Sequence, residues 1–199
     1  MKDWIGNKAA TFATLACSNH SDSIREDNDY YATDPKAVKM LLSVEKFNPY
    51  IWECACGEGH ISKELEKAGY KVWSTDLIDR GYGEVKDFFS FNTQTRENLD
   101  IITNPPYRYA KEFVEHAMEI VNNGCNVAML LKIQFLEGKA RKKLFDKYPP
   151  KKVYVFSSRV NCAKNGNFEK YTSSAVCYAW FIWEKGFKGS PTIDWLLEE

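Results

Sequence analysis

No stretch of the chain approaches the roughly 20 consecutive apolar residues that a membrane-spanning helix needs, so no membrane partner is expected. The opening residues, MKDWIGNKAATFATLACSNHSDS, lack a basic segment followed by an apolar one. They therefore do not read as a secretory signal, and the cytoplasm is the expected compartment. A charge excess is absent as well: 27 Lys plus Arg balance 27 Asp plus Glu. That balance excludes coating nucleic acid by bulk charge and leaves room only for a local basic patch. Cys54, Cys56 and His60 have no CxxC pair and no second half-site beside them, so no metal site is expected. The scattered Cys17, Cys54, Cys56, Cys125, Cys162 and Cys177 read as buried thiols, not as a disulfide framework. Internal repeats and low-complexity tracts are missing too. Aromatic residues are plentiful at 15% of 199 residues, enough for one full core with rings left over for stacking.

Residues 1–30 are polar and acidic, with Asp22, Glu26, Asp27 and Asp29 close together. They are expected to form an N-terminal arm, either mobile or ordered as a lid. After the arm, punctuation becomes regular. Pro35 stands at a plausible first helical position of PKAVKMLLSVEKF, whose Val38, Leu41, Leu42 and Phe47 form an apolar stripe. YIWECA reads as a strand ending in the turn CGEGH, and ISKELEKAGY as a helix closed by Gly69. KVWSTD and LDIITN are further strands, and YAKEFVEHAMEIV aligns Tyr109, Phe113, Ala117 and Val121 on one helical face. CNVAMLLKI is apolar throughout, as a strand buried on both faces should be. A basic helix over 136–148 then precedes the strands KKVYVFS and SSAVCYAWFIWEK. The alternation predicts an α/β fold with a mainly parallel seven-stranded sheet and helices on both faces. The last two strands are joined by the polar loop SSRVNCAKNGNFEKYT rather than a helix, which predicts a C-terminal antiparallel hairpin.

In such sheets ligands sit beyond the carboxyl ends of the strands, and the first strand–turn–helix cradles the charged moiety. That turn is Glu53-Cys54-Ala55-Cys56-Gly57-Glu58-Gly59. Gly57 and Gly59 permit a sharp backbone turn and close approach to a ligand, although they could equally serve the turn alone. The third glycine of a dinucleotide fingerprint is replaced by Ser62. Glu53 and Glu58 would repel a pyrophosphate but welcome a cation, such as the ammonium and sulfonium of S-adenosylmethionine. Asp76 closes the next strand, where an acid can take ribose hydroxyls, or act only as a cap. Asp87 could accept from an adenine amino group while Phe88 packs on its ring, unless Phe88 is core.

The strongest signal is Asn104-Pro105-Pro106-Tyr107 at the end of LDIITN. Two prolines make a rigid corner that lacks two N–H donors, and a residue before proline is held extended, so the Asn104 amide should project from the strand end. The lone pair of a planar exocyclic amine such as adenine N6 is delocalised into the ring. Asn104 Oδ1 and the Pro105 carbonyl can accept its two N–H bonds and draw the nitrogen toward tetrahedral geometry, with Tyr107 stacked on the base. Positioning and electrostatics would do most of the catalysis, with no low-pKa base.

YYATDP, ECACGEG, STD, KDFF and NPPY, in that order, resemble the S-adenosylmethionine-dependent amino-methyltransferases of nucleic acids. The likeness is greatest to N6-adenine DNA methyltransferases of the gamma motif order, in the small form found in phages and prophages. It implies a Rossmann-like class I methyltransferase fold over 31–199. It also implies S-adenosylmethionine contacts at Thr33, Pro35, Glu53, Cys54, Ala55, Gly57, Gly59, Asp76, Asp87, Phe88 and Asn104. Asn104, Pro105, Pro106 and Tyr107 would be catalytic, with Tyr107, Arg108 and Phe168 meeting the target base; by position alone Phe168 reads equally as an anchor of its loop. Unlike restriction-associated members, the chain shows no separate target-recognition domain, so specificity is expected to be short, loop-borne or supplied by a protein partner. Eight basic residues between Lys132 and Lys152 face only Glu137 and Asp146; they could track a DNA backbone, or form an ordinary solvated helix face. Adenine in RNA, a protein glutamine amide and a non-catalytic cofactor-binding module are the alternatives to DNA adenine.

Overall fold

The computed structural model describes residues 30–92, 97–164 and 176–198; the arm over 1–29 and Phe168 lie outside them. The chain runs β1 (Tyr31–Thr33), α1 (Pro35–Val44), β2 (Tyr50–Glu53), α2 (His60–Lys67), β3 (Lys71–Asp76) and β4 (Glu84–Val85). It continues through β5 (Leu99–Thr103), α3 (Ala110–Ile120), β6 (Asn126–Lys132), α4 (Lys139–Lys147), β7 (Lys152–Phe156), β8 (Cys162–Lys164), β9 (Tyr178–Glu184) and β10 (Thr192–Leu196).

Local chemistry sets the ends of the helices. The Asp34 side chain accepts from the Lys36 N–H at 3.0 Å and Pro35 occupies the first turn, so α1 starts where the sequence reading puts it. Gly69, at φ +93°, follows α2 in the left-handed conformation that closes helices. Along the strands, alternate residues enter two separate cores. Trp52, Ile101, Val127, Met129, Phe181 and Trp183 face α3 and α4. Ile51, Ile102, Ala128, Leu130, Trp180 and Ile182 face α1 and α2. Period-two burial on both faces explains why β6 and β9 read as unbroken apolar runs. The buried indoles still find acceptors: Trp180 donates to the Ala37 carbonyl at 2.9 Å and Trp52 to Thr75 Oγ1 at 2.9 Å.

The sheet order is β10-β7-β9-β6-β5-β2-β3-β4. Pairing is parallel from β4 through β6, while β9 lies antiparallel between β6 and β7. The α/β class, the helices on both faces and the antiparallel β7–β9 pair are as expected. Three strands are additions. β10 joins β7 in parallel and makes the sheet eight-stranded, and the expected polar loop contains β8, which pairs antiparallel with β1. Among the cysteines, Cys54, Cys56 and Cys125 are buried, but Cys177 is exposed because it precedes β9 rather than entering its core face. Asp100 accepts from the Asn48 N–H and Nδ2 and from the Asn126 N–H at 2.7–2.9 Å, tying two loops together at the amino ends of β5 and β6.

Candidate active site

A cavity of about 840 Å³ opens beyond the carboxyl ends of β2, β3, β5 and β6. The turn after β2 sets its floor. Gly57 and Gly59 have φ of +53° and +77°, which L side chains rarely adopt. Their open faces are not free for a ligand: a Cβ at Gly57 would strike the Tyr30 ring, and one at Gly59 the Tyr82 ring. Neither glycine borders the cavity, and nor does Pro35, which is spent on starting α1. Glu53, Cys54 and Ala55 do border it. Glu53 is only 1% exposed, and its carboxylate accepts from Ser62 N–H at 2.8 Å and from Ser62 Oγ. Ser62, read in the sequence as a departure from a glycine pattern, is thus what holds this acid. Burial outweighs those bonds and pushes Glu53 up to about 8. Burial likewise pushes the Cys54 thiol well up and Cys56 up to about 12, which leaves both inert.

At the end of β3, Asp76 accepts from the Gly57 N–H at 2.8 Å and the Ile78 N–H at 3.0 Å, so its carboxylate is aimed before any ligand arrives. Asp87 caps a single 3-10 turn through the Phe89 N–H. Phe88, expected to pack on a ligand ring or to be core, borders the cavity while being 2% exposed, stacked on Phe113 and edge-on to Trp52. Its neighbour Phe89, which the sequence reading passed over, is the exposed ring of the pair at the cavity.

Asn104, Pro105, Pro106, Tyr107 and Arg108 form the opposite wall. Asn104 Nδ2 donates to the Tyr31 carbonyl at 3.1 Å and to Thr33 Oγ1 at 3.0 Å. Thr33, expected at the cofactor, borders the cavity and accepts from Asn104 on its hydroxyl oxygen. Asn104 Oδ1 is buried and has no partner among the described residues; such an acceptor costs free energy until a donor reaches it. Tyr107 is already packed: its ring lies 5.5 Å from Tyr31 and 5.8 Å from Tyr178, with Lys132 Nζ 4.7 Å above it. Stacking of a base on Tyr107 thus requires one of these neighbours to give way. Lys132 and Tyr30 are cavity residues that sequence reasoning missed; the one signal for Lys132 was a lone charge ending an apolar strand. The Arg80 guanidinium lies 4.1 Å over the Tyr30 ring, bridging the rim.

No family model and no curated protein sequence matches the chain. Solved structures do. A protein from Vibrio vulnificus described as a modification subunit of a type I restriction enzyme aligns with TM-score 0.59 and 10% identity, over 96% of this chain and 51% of its own. A type I restriction-modification methyltransferase subunit from Streptococcus thermophilus gives 0.58 and 14%, over 94% and 49%. A class I S-adenosylmethionine-dependent methyltransferase from Listeria monocytogenes gives 0.57 and 14%, over 96% and 72%. The chain thus spans about half the length of the two restriction-associated subunits. At these identities the likeness establishes the architecture: the chain has the Rossmann-like fold of class I methyltransferases.

Proposed function

We propose that the protein is an S-adenosylmethionine-dependent methyltransferase acting on the exocyclic N6 amine of adenine in DNA. The observation that carries this reading is the orphaned Asn104 Oδ1 at the wall of the cavity, held on a Pro-Pro corner with its amide nitrogen facing away into β1. An acceptor of that kind, beside a Pro105 carbonyl, suits a donor pair on one nitrogen. Likeness to restriction-modification subunits favours DNA among the possible acceptors.

The residues present suit the cofactor. The cavity of about 840 Å³ has room for it and for a base. Asp76 would take its ribose hydroxyls on the lone pairs that the Gly57 and Ile78 amides leave open, Asp87 and Phe89 would flank its adenine, and Glu53 would face its cationic end. When bound, the cofactor supplies an electrophilic sulfonium methyl. The protein's own part is to draw the acceptor nitrogen out of conjugation, through Asn104 Oδ1 and the Pro105 carbonyl, and to keep water from its lone pair. Proton removal needs no side-chain base, because the N–H becomes acidic only as the new bond forms. Burial holds the Tyr107 hydroxyl well above its usual range, so it stays protonated throughout.

The test is transfer of labelled methyl to DNA, RNA and protein pools, followed by digestion to identify the modified group. N6-methyladenine in DNA is expected. Asn104→Ala should reduce transfer by about 100-fold or more, while calorimetry still finds cofactor binding. Label in RNA or in glutamine would replace the acceptor; loss of cofactor binding in Asn104→Ala would remove the role given to the amide.

A further inference from the structure

The amide of Asn104 is gripped from behind by an element with no obvious place in the fold. β1 and β8 form a separate two-stranded ribbon in which Thr33 pairs with Cys162. The ribbon presents three acceptors to Asn104 Nδ2: the Tyr31 carbonyl at 3.1 Å, Thr33 Oγ1 at 3.0 Å and Cys162 Sγ at 4.0 Å. An amide NH2 has two hydrogens to give, and a backbone carbonyl can only accept. Oδ1 therefore cannot face Tyr31 without repulsion, and the ribbon decides which end of the amide is left without a partner at the cavity wall. Thr33 is only 3% exposed, so its hydroxyl is not a group that water could replace without cost.

We infer that Thr33 is a positioning residue whose hydroxyl, with the Tyr31 carbonyl, fixes the Asn104 amide so that its oxygen meets the acceptor amine. The inference rests on the role given to Asn104 above. Orientation matters because a flipped amide would oppose two N–H donors to the two N–H donors of the substrate amine. The contact would change from attraction to repulsion, with no displacement of the main chain. Thr33 carries this job because the Tyr31 carbonyl can occupy only one of the two hydrogens. The Cys162 sulfur is at the outer limit of contact and, as a thiol pushed up to about 12 by burial, is a weak acceptor.

Thr33→Val removes the hydroxyl and keeps the shape; Thr33→Ser keeps the hydroxyl. Thr33→Val should lower kcat by roughly 100-fold, the scale of a misplaced catalytic group, with cofactor Kd within about threefold of wild type, and Thr33→Ser should recover most of the rate. Unchanged kcat in Thr33→Val overturns the inference, and so does a loss of cofactor affinity equal to the loss of rate. A second readout needs no turnover. In the free protein the side-chain NH2 of Asn104, identified by its disappearance in Asn104→Asp, should be slow to exchange with solvent. It should lose that protection in Thr33→Val and keep it in Thr33→Ser. Rapid exchange in the wild type would sink the clamp. A wild type that methylates nothing while this protection still depends on Thr33 would instead overturn the proposed function and leave the clamp standing.

Discussion

Glu53 is the acid of the site whose ionisation burial shifts. Its carboxyl is buried at the cavity wall, bonded to Ser62, and is pushed up to about 8 because burial penalises the anion more than two hydrogen bonds favour it. In the ligand-free protein at pH 7 it is therefore mostly protonated. A cation arriving at the turn favours the anion, so cofactor binding should expel a proton. Calorimetry at pH 7 in buffers of different ionisation enthalpy should find release of up to about one proton, absent in Glu53→Gln; equal release in both would remove Glu53 from the cationic end. The same shift has a sign for stability. The folded protein holds a proton that the unfolded chain gives up near 4.5, so the folded state binds more protons between those values. This group's contribution is full below pH 4.5 and is lost as pH rises toward 8.

At the scale of elements, the turn after β2 shows which demands its own backbone makes on a glycine motif. The glycines answer to positive φ and to two tyrosine rings, the demands of the turn itself. Gly57→Ala should thus cost roughly 1–2 kcal/mol from the left-handed backbone alone, a Tm lower by about 3–6 °C in a chain of this size. Removing the obstructing ring in Gly57→Ala/Tyr30→Ala should recover part of any loss beyond that. An unshifted Tm in Gly57→Ala would mean that the turn relaxes freely. The helices, six of the strands and the Asn-Pro-Pro-Tyr corner were legible because each carries a local signal: a cap, a period or a pair of prolines. β1 and β8 carry none. Tyr-Ala-Thr and Cys-Ala-Lys are too short to show a period, and each exists only because the other pairs with it. The grip on Asn104 was therefore invisible in sequence, although the asparagine itself stood out. β10 has no alternation of burial to read: Thr192 through Trp195 are exposed and only Leu196 is buried, so its place is set by pairing with β7.

Across the whole molecule, the distribution of charge decides how a nucleic acid can be held. The basic run between Lys132 and Lys152 reads as a track for phosphates, yet half of its eight cations are answered by carboxylates within the protein. Lys142 pairs with Asp146, Lys147 with Glu119, Lys151 with Glu184 and Lys152 with Glu45. Exposed pairs of this kind add little stability, but they cancel the field that would attract a polyanion. Among the described residues, three cations line the cavity itself: Arg80, Arg108 and Lys132. If binding rests on them, about three phosphates are neutralised. The logarithm of the association constant should then fall against log salt with a slope of about −3 on duplex DNA and about −2 on single strands. Fluorescence anisotropy with a labelled oligonucleotide across a salt series measures this directly. Lys132→Ala should flatten the slope by about one, whereas Lys147→Ala should leave it unchanged. A slope near −6, or a response to Lys147→Ala, would mean that the paired lysines abandon their carboxylates for the backbone. The protein would then grip its substrate along a helix face rather than at the mouth of the cavity.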